Sequence, residues 1–421
     1  MKLDIFCSIT PAPAQGRQPS ESQVLRNFLS QCEVADELGY GTVWVAESHY
    51  SNESQKRHPQ PVLPHWDGEV GLNTDVCLLA QQVFARTTRL DVGSAITNIV
   101  CNGGPIPAAE RVVSTLAWHG LDPAERRRLR IGFASGRFDF VNRLTGVRPR
   151  SDWEELAWNQ VKRAILWEAA EIFTRLVTGA ELSSDEVAPF VLRREHFPDD
   201  ERWQEVLRAA DHRGDELPVP RRWPFPVTKI VPERPRRELL RLLLGSADPL
   251  LQAHLNRIAP VRVFNLSITP PHVIEQTHER MRAVYHPAGG GWRRDYMPRT
   301  TFVFLNARPG LSPEQRRAAA RDEARSTLSA YWRAMDGTVD PARITTAAEN
   351  ALVGDADEVA EQMIARFHPR DRLMLWFDFF NHDNDRVIEN MTAMMTGVVP
   401  RLVARGIPVE LPDTTPAGSA R

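Results

Sequence analysis

The chain has 421 residues, 42% of them hydrophobic and 25% charged, which supplies a sizeable core and excludes a disordered, collagen-like or low-complexity polypeptide. Fifty-two Lys and Arg stand against 54 Asp and Glu, a formal net charge of -2, without the basic excess of a dedicated nucleic-acid binder. Only Lys2, Lys56, Lys162 and Lys229 are lysines, so a lone arginine carries little functional weight here.

The N-terminal run KLDIFCSI (2–9) reads as a strand, and Pro11 and Pro13 break it before a signal-peptide apolar core could form. Residues 20–38 carry apolar positions at helical spacing up to Gly39, a natural helix stop, and GTVWVA (41–46) is a second strand. The alternation continues with a helix at 73–86, a strand at 89–95, a helix at 107–119, a strand at 129–133 and a long helix through 156–179. Eight prolines between 189 and 235 leave no room for a long regular element in 180–236, which reads as an insertion. The rhythm then resumes with strands at 239–245, 261–266, 300–306 and 372–378, separated by helices at 247–258, 271–284, 312–333 and 356–367, and closed by a helix at 384–404. A Gly-rich, Trp-containing segment, 286–298, reads as a second insertion. Eight parallel strands predict an α/β chain of the (β/α)8 TIM-barrel class, with insertions after the fourth and sixth βα units. On this reading residues 1–408 form one barrel domain and 409–421 a flexible tail, with the two insertions as lids, Trp292 and Tyr296 giving the second one stacking capacity. No stretch approaches eighteen apolar residues.

In such a barrel the residues just after each strand face the active site. Glu47-Ser48-His49-Tyr50 is the densest polar cluster of that kind. His49 suits proton transfer near neutral pH, although a histidine after a strand is more commonly a structural hydrogen-bonding group. Gly245-Ser246-Ala247-Asp248-Pro249 opens a helix, where free N–H groups attract an anion; Ser246 or Asp248 serves equally well as that helix's N-cap. Ser135-Gly136-Arg137 forms a small cationic turn. The run Trp376, Phe377, Phe379 and Phe380 reads as packing. Cys7, Cys32, Cys77 and Cys101 lack CxxC spacing, which indicates no metal site and fits a reducing cytoplasm. No GxGxxG follows the first strand and no P-loop is present, so no nucleotide cradle of those types is expected.

LGYGTVWVAESHY (38–50), TRLDVGSAI (88–96), PIPAAERVVSTLAW (105–118), LRIGFASGRFDF (129–140), IVPERP (230–235) and LVGDADEVAEQM (352–363) together resemble the bacterial luciferase-like flavin monooxygenases. The resemblance implies non-covalent FMN at the C-terminal face, supplied reduced by a separate flavin reductase. It would react with dioxygen to a C4a-peroxyflavin that oxygenates a small organic substrate. It implies Ala95, Ile96, Ser135, Gly136, Arg137, Ser246 and Asn265 beside the flavin or its phosphate, with Arg163 as a further phosphate candidate. His49 would hydrogen-bond the oxygenated flavin or substrate, with Glu47 orienting the loop and Asn102 as a further polar group. A homodimer through the helices at 73–86 and 107–119 is implied as well. Two departures matter: the family's paired histidines read Ser48-His49, and Ser135 stands where the family often has a phosphate-binding arginine. A deazaflavin-dependent oxidoreductase of the same superfamily is the rival reading, and Ser48 in place of histidine leaves open a flavin-binding relative without turnover.

Overall fold

The structure is a computed structural model that describes every residue except 59, 60, 62, 137, 266–268, 337–340 and 412–421. The strands run in chain order as β1 (Lys2–Cys7), β2 (Thr42–Val45), β3 (Asp91–Asn98), β4 (Leu129–Ala134), β5 (Val191–Leu192), β6 (Leu217–Pro218), β7 (Leu240–Leu244), β8 (Val261–Val263), β9 (Arg299–Leu305), β10 (Leu352–Gly354) and β11 (Arg372–Trp376). Nine form one sheet in the order β10-β9-β11-β1-β2-β3-β4-β7-β8, with parallel pairing throughout. A parallel bridge from Asn265 to Arg299 brings the end of β8 to the start of β9. Eight of the nine strands therefore follow the predicted (β/α)8 barrel.

Alternation along these strands separates two environments. Phe6, Trp44, Leu243, Phe264 and Met374 pack together inside, while the opposite residues join the large core beneath the helices. Trp44 fits because Gly93 faces it: a Cβ there would lie 2.4 Å from the indole ring. Below this layer the interior is ionic. Asp4 accepts from Arg372 Nη1 at 2.9 and 3.0 Å and from Trp44 Nε1 at 2.7 Å, and Arg130 grips Asp91 at 2.7 Å. The helix Glu21–Leu38 starts at Ser20, whose side chain accepts from Gln23 N–H, and stops at Gly39 with φ of 85°, a left-handed cap a Cβ would disfavour.

Several expectations need correction. The third strand runs to Asn98 instead of ending at residue 95, with a register shift between Ser94 and Thr97, so Ala95 and Ile96 lie within it, joined by a cis peptide. The ninth sheet strand, Leu352–Gly354, is too short for periodicity to reveal; it pairs with Val303–Leu305. Segment 180–236 does hold a regular element, the helix Asp200–Ala209, because its prolines flank residues 199–217 without interrupting them. The expected helix at 384–404 is interrupted by a π-helical turn at Met394–Val398.

The expected lid at 286–298 is in the wrong place. It joins a helix C-terminus to the N-terminal start of β9, and such a connection sits at the bottom of the barrel. Asp295 pairs with Lys2 at 2.7 Å, and Arg294 with Asp371, just ahead of β11. Segment 180–236 makes the same kind of connection but is long enough to climb: Phe190 packs edge-to-face against Trp167, and Trp223 packs against Gly104, beyond the C-terminal end of β3.

Candidate active site

Small residues form the floor of the barrel mouth. Ala46, Ala95 and Ile96 cover the inner core together with Trp376, and Gly245 leaves room for the Ile96 side chain, whose Cδ1 would lie 2.3 Å from any Cβ there. Ser8 Oγ is buried just past the end of β1 without a hydrogen-bond partner, and Trp376 Nε1, at the end of the adjacent strand β11, is buried beside the Asp378 carboxyl. Such an orphan costs free energy unless a ligand or water satisfies it. Phe302, Trp376, Phe379 and Tyr331 build an aromatic wall, with ring centroids 4.4 to 5.1 Å apart. The run at 376–380 is thus divided: Phe377 packs outward near Tyr40, while Trp376, Phe379 and Phe380 join the wall.

Beside the floor is a cavity of about 420 Å³, lined by Ser135, Gly136, Lys162, Arg163 and Ser246, together with Asp139 and Asp248. Four of the sequence-predicted cofactor residues meet here. Gly136 has φ of 76°, which explains a glycine in this turn. Arg163 Nε donates to Asp248 Oδ2 at 2.8 Å, leaving its η nitrogens for a further acceptor. Lys162 Nζ is 4.0 Å from Asp139, a loose pairing. Asp248 is the N-cap of the helix Pro249–Leu255, and Ser246 Oγ accepts from Asp248 N–H at 3.2 Å. Burial opposes charge on Asp248, but hydrogen bonds from Trp167 and Arg163 outweigh it and hold the carboxyl below its ordinary range. Arg137 lies outside the described residues.

Glu47, His49 and Asn102 form a second group. Glu47 Oε1 is 2.9 Å from His49 Nε2, Asn102 Nδ2 is 3.1 Å from His49 Nδ1, and Tyr50 Oη donates to Asn102 Oδ1 at 3.1 Å. In the neutral ring both imidazole nitrogens are engaged, Nε2 donating to Glu47 and Nδ1 accepting from Asn102. Glu47 also accepts from Thr97 Oγ1 at 3.1 Å and from Asn98 N–H at 3.2 Å. Asn98 Nδ2 donates to Asn142 Oδ1 at 2.8 Å, and Asn142 Nδ2 to Ser135 O at 2.9 Å. A continuous chain of hydrogen bonds thus connects Tyr50 to the Ser135 turn of the cavity. Asn98 and Asn142 carry this connection; the first closes a strand and the second sits in a short helix, and neither position has a sequence signature. Lys162 is equally silent in sequence, although it directly precedes Arg163. Asn265 joins neither group: it is buried, its N–H donates to Pro298 O at 3.0 Å, and its Nδ2 has no partner.

Burial works against charge on His49, but hydrogen bonds with Cys101 and Glu47 outweigh it and raise its pKa from 6.5 to about 9. A raised folded-state value stabilises the fold below about pH 6.5, and the contribution is lost as pH rises through about 9. Glu47→Gln is expected to remove most of this slope. Urea denaturation at pH 6 and pH 9.5 checks it: equal losses between the two pH values in both proteins would contradict the pairing.

A family model described as luciferase-like monooxygenase matches residues 1–370. The chain belongs to the luciferase-like monooxygenase family. Among solved structures, this family member resembles the monooxygenase RslO1 from Streptomyces bottropensis, with TM-score 0.62 and 17% identity, covering 95% of this chain and 99% of that one. The oxygenating constituent of 3,6-diketocamphane monooxygenase from Pseudomonas putida, solved with FMN, gives TM-score 0.55 at 14% identity over 98% and 99%. An F420-dependent secondary alcohol dehydrogenase gives 0.55 at 12% identity over 94% and 98%. At such identities the likeness concerns the fold. A curated relative, the uncharacterized protein y4vJ of Sinorhizobium fredii, is 29% identical over 101 residues, which are 23% of this chain and 28% of that protein. Membership in this family supports an oxidoreductase activity. Among the described residues no helix is long and apolar enough to cross a membrane, and no group of three or more His, Cys, Asp or Glu is placed to hold a metal.

Proposed function

We propose that this protein is a flavin-dependent monooxygenase that takes reduced FMN from a separate reductase and, with dioxygen, oxygenates a small organic substrate. The cavity beside the small-residue floor carries this reading: Lys162, the η nitrogens of Arg163 and Ser246 Oγ offer donors for a phosphate within reach of a flat, apolar surface. Ser135 and Gly136 would let the backbone approach that phosphate closely. The orphaned Ser8 Oγ is suited to the polar edge of a bound ring or substrate. The flavin, when bound, supplies the activation of dioxygen.

The chain's own residues then bind, orient and exclude water. The aromatic wall of Phe302, Trp376, Phe379 and Tyr331 favours an apolar or aromatic substrate. Glu47, His49 and Asn102 act as one unit, with His49 holding Asn102 and the half-exposed Tyr50 at its outer edge. Segment 180–236 closes over the cavity side through Phe190 and Trp223. A homodimer belongs to the same reading, since Leu78 and Trp118 are 68% and 72% exposed along the groove between the helices Val76–Phe84 and Pro105–His119.

Anaerobic titration with reduced FMN, followed by admission of oxygen, tests the proposal. Saturable binding and oxygen uptake that depends on an added apolar substrate are expected. Binding of reduced F420 in preference to FMN, with hydride transfer and no oxygen uptake, would overturn it in favour of the deazaflavin reading.

A further inference from the structure

At the opposite, N-terminal end of the barrel is a cavity of about 660 Å³, larger than the one at the mouth. Its lining carries five side-chain cations, Lys2, Arg282, Arg293, Arg294 and Arg370, against two carboxylates, Asp295 and Glu410. The carboxylates are already spent. Asp295 is shared by Lys2 at 2.7 Å and Arg293 at 2.9 Å, and burial notwithstanding, the hydrogen bond from Lys2 leads in holding it down at about 2. Glu410 lies 3.3 Å from Lys2. Arg294 is buried and pairs outside the lining with Glu275 and Asp371, which anchors the floor. Arg282 has only the exposed Glu279 at 3.3 Å, and Arg370 has no ion pair among the described residues.

Two histidines complete the wall, and their neighbours determine which ring nitrogen accepts. Trp292 Nε1–H can only donate, and it does so to His278 Nδ1 at 3.0 Å; Arg370 N–H donates to His368 Nδ1 at 3.1 Å. Each imidazole in its neutral form therefore carries its proton on Nε2. The unspent groups of this cavity, two guanidinium ions and two imidazole N–H groups, are all donors, and an acceptor-only ligand is their complement. The Trp292 ring, partly exposed in the same wall and held by Tyr285 and Tyr296 at 5.1 and 5.7 Å, adds a stacking surface.

We infer that this cavity is a second binding site, for a phosphate-bearing small molecule, separated from the proposed flavin site by the packed interior of the barrel. The guanidinium ions of Arg282 and Arg370 and the Nε2–H groups of His278 and His368 hold the phosphates, and Trp292 takes an aromatic base if the ligand carries one. The inference is independent of the flavin reading, since none of these residues touches the barrel mouth.

Calorimetric titration of the full chain with inorganic pyrophosphate and, separately, with ADP tests it. Both are expected to bind, and Arg370→Glu combined with Arg282→Glu is expected to weaken both at least tenfold, both positions being exposed and removable without loss of the fold. Trp292→Leu is expected to weaken ADP alone if the ligand is a nucleotide, and neither probe if it is inorganic phosphate. Absence of saturable binding would overturn the proposal. So would binding that survives the double Arg variant but disappears in Lys162→Glu, which would assign the phosphate to the cavity at the mouth.

Discussion

Replacing Arg372 by methionine is expected to lower the free energy of unfolding by about 3–5 kcal/mol, the range for removing one partner of a buried ion pair. Arg372 and Asp4 face each other inside the barrel, with side chains 7% and 0% exposed. Arg372 Nη1 donates to both carboxylate oxygens and to Thr42 Oγ1 at 3.1 Å. Without it Asp4 retains only the Trp44 N–H, and an uncompensated negative charge remains in a low-dielectric interior. The double variant Asp4→Asn, Arg372→Met removes that charge and is expected to recover a large part of the loss. Chemical denaturation of the two variants measures this; a cost below about 1 kcal/mol for the single variant would show that the pair is not what organises the base of the barrel.

Arg163→Gln is expected to weaken reduced FMN by about 10–100-fold, the equivalent of one charge-assisted hydrogen bond of about 1.5–3 kcal/mol. The effect should be confined to the phosphate. Asp248 keeps its bonds from Trp167 Nε1 and from the start of its helix, so the cavity wall stays in place, but its negative charge then faces the ligand without its cation. Reduced riboflavin, which has no phosphate, is the control and should bind both proteins alike. Equal weakening of the two flavins would mean that Arg163 supports the cavity wall instead of the phosphate. The same comparison separates Arg163 from Arg137, the alternative cation of the fourth-strand turn.

The candidate site was legible in sequence as a set of places. Strand ends in a (β/α)8 barrel point to one face, so Glu47, His49, Ser135 and Ser246 could be listed from periodicity and turn residues alone. Their grouping could not. Ser135, Gly136, Arg163 and Ser246 converge on one cavity, whereas Glu47, His49 and Asn102 form a hydrogen-bonded unit that reaches that cavity only through Asn98 and Asn142. A single asparagine in a loop or short helix has no periodic signature, and its partner is decided by where another strand brings its own polar group.

The alternation of apolar runs with helical spacing determined by itself the class of fold, the direction of the strands and the residues at the strand ends, because these depend on local period and on the order of the elements. The tertiary structure alone decided what the connections do. Residues 286–298 and 180–236 look alike in sequence, as irregular inserts between a helix and a strand. One remains at the bottom of the barrel, bound to Lys2 and Asp371, while the other climbs to Gly104 and Trp167 at the top. Composition shows that a segment lacks a repeating pattern, but the ion pairs and ring contacts that give it a position reach other elements, as far as 293 places along the chain for Lys2 and Asp295.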